Sequence, residues 1–287
     1  VANDDGLLGV IGGSGLYEME GLTDTETVTV DTPYGAPSGA LVLGTLGERR
    51  MAFLPRHGKG HRIIPSELNF RANIYAMKQL GADAIISVSA VGSLREEIAP
   101  GHIVVPDQFI DRTRGRVSTF FGDGVVAHVS FADPFCSSLC AVAVGAAERA
   151  GATVHRGGTY ICMEGPMFST RAESHMYRSW GGTIIGMTNL QEAKLAREAE
   201  ICFATLAMVT DYDCWRDEGE VEIADVLAVL GANADLAKGT VAEAAGSIDA
   251  DRTCGCRSAL ENAIITDPAA IPDHRRKELA VIAGRVL

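Results

Sequence analysis

Apolar residues in this chain gather in short unbroken runs, divided by turns rich in glycine, proline and polar residues. Runs at 7–11, 26–30, 40–45, 51–54, 84–88, 102–105, 158–162, 183–186 and 201–210 predict strands, punctuated by Thr32-Pro33-Tyr34-Gly35 and Leu46-Gly47-Glu48. Between them the period lengthens. Helices are predicted over 66–80, opened by Ser66 after Pro65, and from Asp133-Pro134 to about Gly151. Others are predicted from Ser169 or Thr170 to about Trp180, over 189–199, over 222–246 and over 272–285. The stretch 249–270 is polar and irregular.

Strands that alternate with helices, and are apolar throughout, suit a central sheet covered on both faces. The expected fold is α/β. No repeat, low-complexity tract or linker interrupts the chain before 247, so residues 1–287 read as one domain with a polar C-terminal extension from about 247. No apolar run reaches about 18 residues, and the acidic start Val1-Ala2-Asn3-Asp4-Asp5 carries no apolar signal core. A cytoplasmic protein without membrane contact is expected.

Charge narrows the partners. Asp plus Glu total 37 against 25 for Lys plus Arg, a formal charge of −12 over 287 residues. Nucleic-acid binding needs clustered cations and is not expected. The seven cysteines are odd in number, and Cys136, Cys140, Cys162 and Cys202 sit in apolar runs, as buried thiols of a reducing compartment do. Cys254-Gly255-Cys256 stands apart in the polar tail. One CxC without a second pair is weak evidence for a metal, and the histidines have no HExxH spacing, so no metal is expected.

In open α/β sheets ligands collect beyond the carboxyl ends of strands. The first strand leads into Gly12-Gly13-Ser14-Gly15, where glycines let backbone N–H groups converge on an anion and Ser14 adds a hydroxyl. The strand at 51–54 leads into Pro55 and then Arg56-His57-Gly58-Lys59-Gly60-His61-Arg62, a cationic island in an acidic chain. Arginine offers a planar fork to phosphate. A third run, Ser89-Ala90-Val91-Gly92-Ser93, follows the strand at 84–88. The strand at 201–210 ends in Asp211-Tyr212-Asp213-Cys214-Trp215, and carboxylates at i and i+2 of an extended chain share a face. Such a pair accepts from ligand N–H groups, or one member holds a proton. A phosphate site facing a carboxylate site fits phosphate as reactant and an N–H-bearing base as leaving group.

The motifs IGGSGLY, DTPYG, FLPRHGKGHRI, SAVGSL, VVPDQFIDRT, ADPFC, EGPMFSTRAE, GMTN and VTDYDCW occur in this order between about residues 7 and 245. Their ordered set resembles the methylthioadenosine phosphorylases within the purine nucleoside phosphorylase family. The resemblance implies a mixed, twisted, partly barrel-like central sheet flanked by helices, and homotrimers or dimers of trimers. It implies phosphorolysis of 5′-methylthioadenosine to adenine and 5-methylthioribose 1-phosphate, with inorganic phosphate as co-substrate and no cofactor. Carried over by motif, Ser14, Arg56, His57, Ser89, Ala90 and Thr188 hold phosphate, Ala90 through its backbone or as a wall. Met187 lines the ribose and Phe168 packs on the base. Asp211 and Asp213 bind N7 and the 6-amino group, with a protonated Asp211 as general acid. Ile223, Val226 and Leu227 wall the methylthio group, with His128 reaching in from a neighbouring subunit.

Two positions depart from the family pattern: Gln191 replaces a usual proline, and Met167 a usual Gln or Arg. Three rival readings follow from the same residues. One is a purine nucleoside phosphorylase acting on inosine, guanosine or adenosine, and a second a nucleosidase using water. The third is a catalytically silent nucleoside- or phosphate-binding regulator.

Overall fold

The computed structural model describes residues 6–13, 15–216, 223–249 and 252–287, without the side chains of residues 223–228, 230 and 232. Its strands are β1 (Leu7–Gly12), β2 (Leu22–Val28), β3 (Leu41–Leu46), β4 (Arg49–Pro55), β5 (Ala82–Ser93), β6 (Ile103–Val105), β7 (Gln108–Arg112), β8 (Val154–Arg156), β9 (Thr159–Met163), β10 (Gly182–Gly186) and β11 (Cys202–Asp211). Its helices are α1 (Phe70–Gln79), α2 (Ser137–Arg149), α3 (Arg171–Ser179), α4 (Asn189–Glu198), α5 (Ile223–Ala245) and α6 (Asp273–Ala283).

One mixed sheet runs β2-β3-β4-β1-β5-β10-β9-β7, and β5 also pairs with β11, which continues to β6 and β8. The alternation of side chains along a strand divides the core in two. Leu7 and Ile11 of β1, Ile85 of β5 and Phe203 of β11 pack with α1, α4 and α6 on one face. Leu8, Val10, Ala84, Ile86, Ala204 and Leu206 pack with α2 and α5 on the other. Both faces of the central strands are therefore covered, as the unbroken apolar runs predicted. The C-terminal tail contributes to the first core through Leu260, Ala263, Ile271, Leu279 and Ile282.

Several boundaries differ from the sequence expectation. Pro65–Glu67 forms a separate 3₁₀ turn, and α1 begins only after Asn69, whose side chain accepts from the Ala72 N–H. Likewise α2 begins after Cys136, not Asp133, because the Cys136 sulfur accepts from the Leu139 N–H. Thr170 does open α3, with Glu173 completing a capping box. Strands β7 and β8 were not predicted. The segment Ser89–Ser93, read as a loop after a strand, is the second half of β5, held extended by β11 and then by β10. Among the described residues, no helix is long and apolar enough to cross a membrane.

Candidate active site

β5 is the strand on which the site is built. β1 runs parallel to it and pairs as far as Ser87, opposite Ile11. β10 approaches antiparallel on the same side and pairs only at Gly92 and Ser93. Between those contacts the edge of β5 at Ser89, Ala90 and Val91 faces a split in the sheet. Divergence of neighbouring strands creates the crevice in which α/β folds bind ligands. The opposite edge of β5 is covered by β11 through the same stretch, with Asp211 opposite Gly92.

Arg56 enters the split from the end of β4. Parallel pairing sets Pro55 opposite Gly12, and the Arg56 N–H donates to the Gly12 carbonyl at 2.9 Å. The loop then turns sharply at Gly58, where φ is +70° and an added Cβ would lie 3.0 Å from the Ser38 carbonyl oxygen. Arg56 is buried, at 3% exposure. Its fork does not lie open to a ligand: Nε donates to Glu192 Oε1 at 2.5 Å and Nη2 to Glu192 Oε2 at 3.2 Å. Nη2 also donates to Ser87 Oγ at 2.5 Å, and Nη1 donates to the Val88 carbonyl at 3.0 Å. The sequence reading gave the whole fork to phosphate; the structure leaves one Nη1 N–H for it among the described contacts. The Ser87 hydroxyl donates to Glu192 at 2.7 Å, and the Asn189 amide donates to both Ser87 and Glu192. This closed network was missed, because an acid in the first turn of a helix ordinarily reads as a solvated, dipole-favoured residue.

His57 follows with its ring Nδ1 2.8 Å from the Ile63 carbonyl. A carbonyl only accepts, so Nδ1 carries hydrogen and Nε2 presents a lone pair. Burial, and then the Arg56 charge, push the imidazole pKa down to about 4. His57 is therefore neutral at pH 7. The His61 ring stacks on it with centroids 4.3 Å apart.

Across the split, the antiparallel register of β10 sets Ile185 opposite Gly92. Its continuation carries Met187 and Thr188 toward Ala90 and Ser89. Thr188 is buried and occupies the residue before α4, yet its side chain makes no capping bond. Arg116, a further residue the sequence did not single out, fixes this turn. It donates to the Met187 carbonyl at 2.5 Å, to Gln191 Oε1 at 3.3 Å and to the Glu164 side chain at 3.2 Å. Gln191 also donates to Thr113 Oγ1 at 2.9 Å, so the residue that replaces the usual proline is buried and fully engaged.

The carboxylates stand beside Gly92, where the pairing of β10 with β5 closes the split. Asp211 accepts from Thr210 Oγ1 at 2.7 Å and from the Asp213 N–H at 2.8 Å. Asp213 has a left-handed backbone, φ 53°, and its Oδ2 is buried without a hydrogen-bond partner among the described residues. Burial, with the Asp211 charge beside it, pushes the Asp213 carboxyl above the usual carboxylate range. The sequence reading put the shared proton on Asp211. Asp211 is the member already supplied with two donors, whereas Asp213 Oδ2 has none among the described residues.

The remaining candidates are more dispersed. Phe168 is 42% exposed and Met167 79% exposed, on the loop after the cis Gly165-Pro166 bond. His128 is exposed, beside the bridge between Ala127 and Ile264. Ser14 and the side chains of Ile223, Val226 and Leu227 lie outside the described residues. At the opposite end of β11 from Asp211, the sulfurs of Cys136, Cys202, Cys254 and Cys256 lie within 4.8 Å of one another. Expecting no metal, the sequence reading saw only the CxC pair; folding adds two thiols distant along the chain.

Residues 7–245 match the model of the phosphorylase superfamily. An S-methyl-5′-thioadenosine phosphorylase of Geobacter sulfurreducens is 61% identical over 280 residues, 97% of this chain and 98% of its own length. That of Koribacter versatilis is 58% identical over 97% of this chain and 96% of its own. Among solved structures, a methylthioadenosine phosphorylase from an antarctic soil metagenomic library superposes with a TM-score of 0.93 at 48% identity, covering 98% of this chain and 99% of that one. A Schistosoma mansoni methylthioadenosine phosphorylase in complex with adenine gives a TM-score of 0.83 at 36% identity, covering 88% and 96%. With the split β5 edge, the buried arginine and the paired aspartates in the order its motifs require, the chain belongs to the phosphorylase superfamily, in its S-methyl-5′-thioadenosine phosphorylase branch.

Proposed function

We infer that this protein catalyses phosphorolysis of 5′-methylthioadenosine, releasing adenine and 5-methylthioribose 1-phosphate. The observation that carries the reading is the second half of β5. It holds the phosphate candidates Ser89 and Ala90 within three residues of Gly92, which is paired to Asp211. Phosphate and the departing base thus sit at two ends of one crevice, with the ribose between them.

Phosphate lies against Ser14, Ser89, Ala90, Thr188 and the free Nη1 N–H of Arg56. Neutral His57 accepts the P–OH of hydrogen phosphate at Nε2, a role an imidazolium could not fill. The glycosidic bond lengthens toward an oxocarbenium-like state, which the bound dianion stabilises and then captures at the anomeric carbon. Negative charge moves onto the purine as the C–N bond breaks. The Asp211–Asp213 pair, with one proton between two carboxyls, donates at N7 and accepts from the 6-amino group. Donation of this kind contributes roughly 10²–10⁴-fold. Phe168 covers the base, Met187 the ribose, and Ile223, Val226 and Leu227 the methylthio group. Adenosine, with a 5′-hydroxyl in an apolar wall, is the poorer substrate by about 1–3 kcal/mol.

The same reading takes residues 1–287 as one catalytic domain working in the cytoplasm as a homotrimer or dimer of trimers, with His128 reaching a neighbour's site. Incubation with methylthioadenosine and phosphate, followed by ³¹P NMR and base quantification, tests the chemistry. Equal yields of adenine and a pentose 1-phosphate ester are expected; adenine with free methylthioribose would instead identify a nucleosidase.

A further inference from the structure

We propose that Cys136, Cys202, Cys254 and Cys256 form a tetrathiolate site for a structural zinc ion, which clips the C-terminal segment to the sheet. The four sulfurs lie within 4.8 Å of one another, and Cys202 Sγ is 3.4 Å from Cys254 Sγ. Tetrahedral zinc with bonds of about 2.3 Å requires sulfur–sulfur separations near 3.8 Å, which those spacings bracket. All four cysteines are free thiols, three of them buried and Cys254 partly so. Four thiolates in a closed, dry setting select zinc over the harder cations.

The ligands come from three separate parts of the fold. Cys136 caps α2, where the helix N-terminus favours a thiolate and the Leu139 N–H already points at its sulfur. Cys202 is the first residue of β11, and the Cys136 N–H donates to the Phe203 carbonyl beside it. Cys254 precedes the 3₁₀ turn Gly255–Ser258, and Cys256 lies within that turn. The two arginines flanking the CxC pair, Arg252 and Arg257, both reach Asp83 at the start of β5. These contacts hold the segment over the other two thiols.

Charge supplies an independent observation. Four thiols that give their protons to solvent and bind Zn²⁺ leave a net charge of −2. Two residues before Cys254, the Arg252 side chain is 4% exposed, and its Nε and Nη1 have no hydrogen-bond partner among the described residues. Buried N–H donors of that kind are the outer contacts a thiolate cluster requires. Cys202 and Asp211 are the two ends of β11, roughly 30 Å apart at about 3.3 Å per residue. The clip is therefore structural and remote from the nucleoside site.

Metal analysis of the whole chain purified without chelator should give one zinc per chain. Cobalt(II) substitution should produce thiolate charge-transfer and intense tetrahedral d–d bands. A Cys254→Ser, Cys256→Ser double variant should lose at least nine-tenths of the zinc and unfold roughly 10 °C lower. Below that temperature its kcat/KM should equal wild type. If the variant does not fold, the zinc content and cobalt spectrum of wild type decide alone. Less than a tenth of a metal ion per chain after reduction and zinc incubation would overturn the proposal. So would disulfides among these four cysteines in protein that takes up no metal when reduced.

Discussion

The Arg56 guanidinium, named by the sequence as a phosphate ligand, is held along one edge by Glu192, at 2.5 Å from Nε and 3.2 Å from Nη2. Glu192 is fully buried. Two charges at that depth are stable only together: removing one partner leaves the other uncompensated, at a cost of about 3–5 kcal/mol. Arg56→Ala should therefore raise the phosphate KM strongly and also lower the unfolding midpoint. Glu192→Ala should lose stability by a similar amount. An Arg56→Met, Glu192→Leu pair should recover much of that stability and none of the activity. Denaturant titrations and phosphate kinetics on the three variants separate the two roles; unchanged phosphate kinetics in Arg56→Ala would contradict the assignment.

This pair also marks how far the sequence could be read. The cationic island after β4, the glycine turn after β1 and the Asp-Tyr-Asp end of β11 stood out because each breaks sharply with an apolar run. Nothing local distinguishes Glu192 from a solvated helix acid, nor Ser87 from any small residue in a buried strand; their meaning comes from α4 packing on β5, where both meet Arg56 at the end of β4. Strands β7 and β8 escaped for a related reason. Gln108–Arg112 and Val154–Arg156 are short and half-polar, and only pairing with β9 and β6 makes them strands. Cys136 and Cys202 likewise read as core thiols until folding sets them beside Cys254 and Cys256.

His57 should stay neutral across the working range. Its folded pKa, pushed down to about 4, lies below the unfolded value of roughly 6.5, so the unfolded chain binds more protons between the two. The stability it contributes is fully present above about pH 6.5 and is lost as pH falls toward 4. Histidine-labelled NMR should show no ionisation of His57 between pH 5.5 and 8. A titration midpoint near 6.5 would remove it as a hydrogen-bond acceptor for phosphate.

Gly92 has no room for a side chain. A Cβ there would lie 2.8 Å from Asp211 Oδ1, 3.1 Å from the Ile185 side chain and 3.4 Å from Asp213 Cβ. Gly92→Ala should displace the carboxylates and cut kcat/KM on the nucleoside by at least roughly tenfold, a loss of about 1.4 kcal/mol in transition-state binding. Circular dichroism should remain that of wild type. A fully active variant would show that Asp211 need not sit where β5 holds it.

The carboxylate pair should also set the base preference. Adenine offers a donor at position 6, whereas a 6-oxo base offers an acceptor that an ionised carboxylate leaves unpaired. Buried mismatches of this type discriminate by up to about 10⁴–10⁵. Asp211→Asn and Asp213→Asn should each lower kcat/KM on methylthioadenosine and raise relative activity on inosine. A ratio that neither exchange moves would mean these aspartates do not read the base.

The most direct test of the account is the dependence of adenine release on phosphate. Purified protein freed of phosphate and given methylthioadenosine should release adenine at under about one per cent of its saturated rate, since the nucleophile that captures the ribosyl cation is missing. Added phosphate should restore the rate along a saturating curve. Adenine released equally fast without phosphate would contradict the phosphorolytic reading of the site.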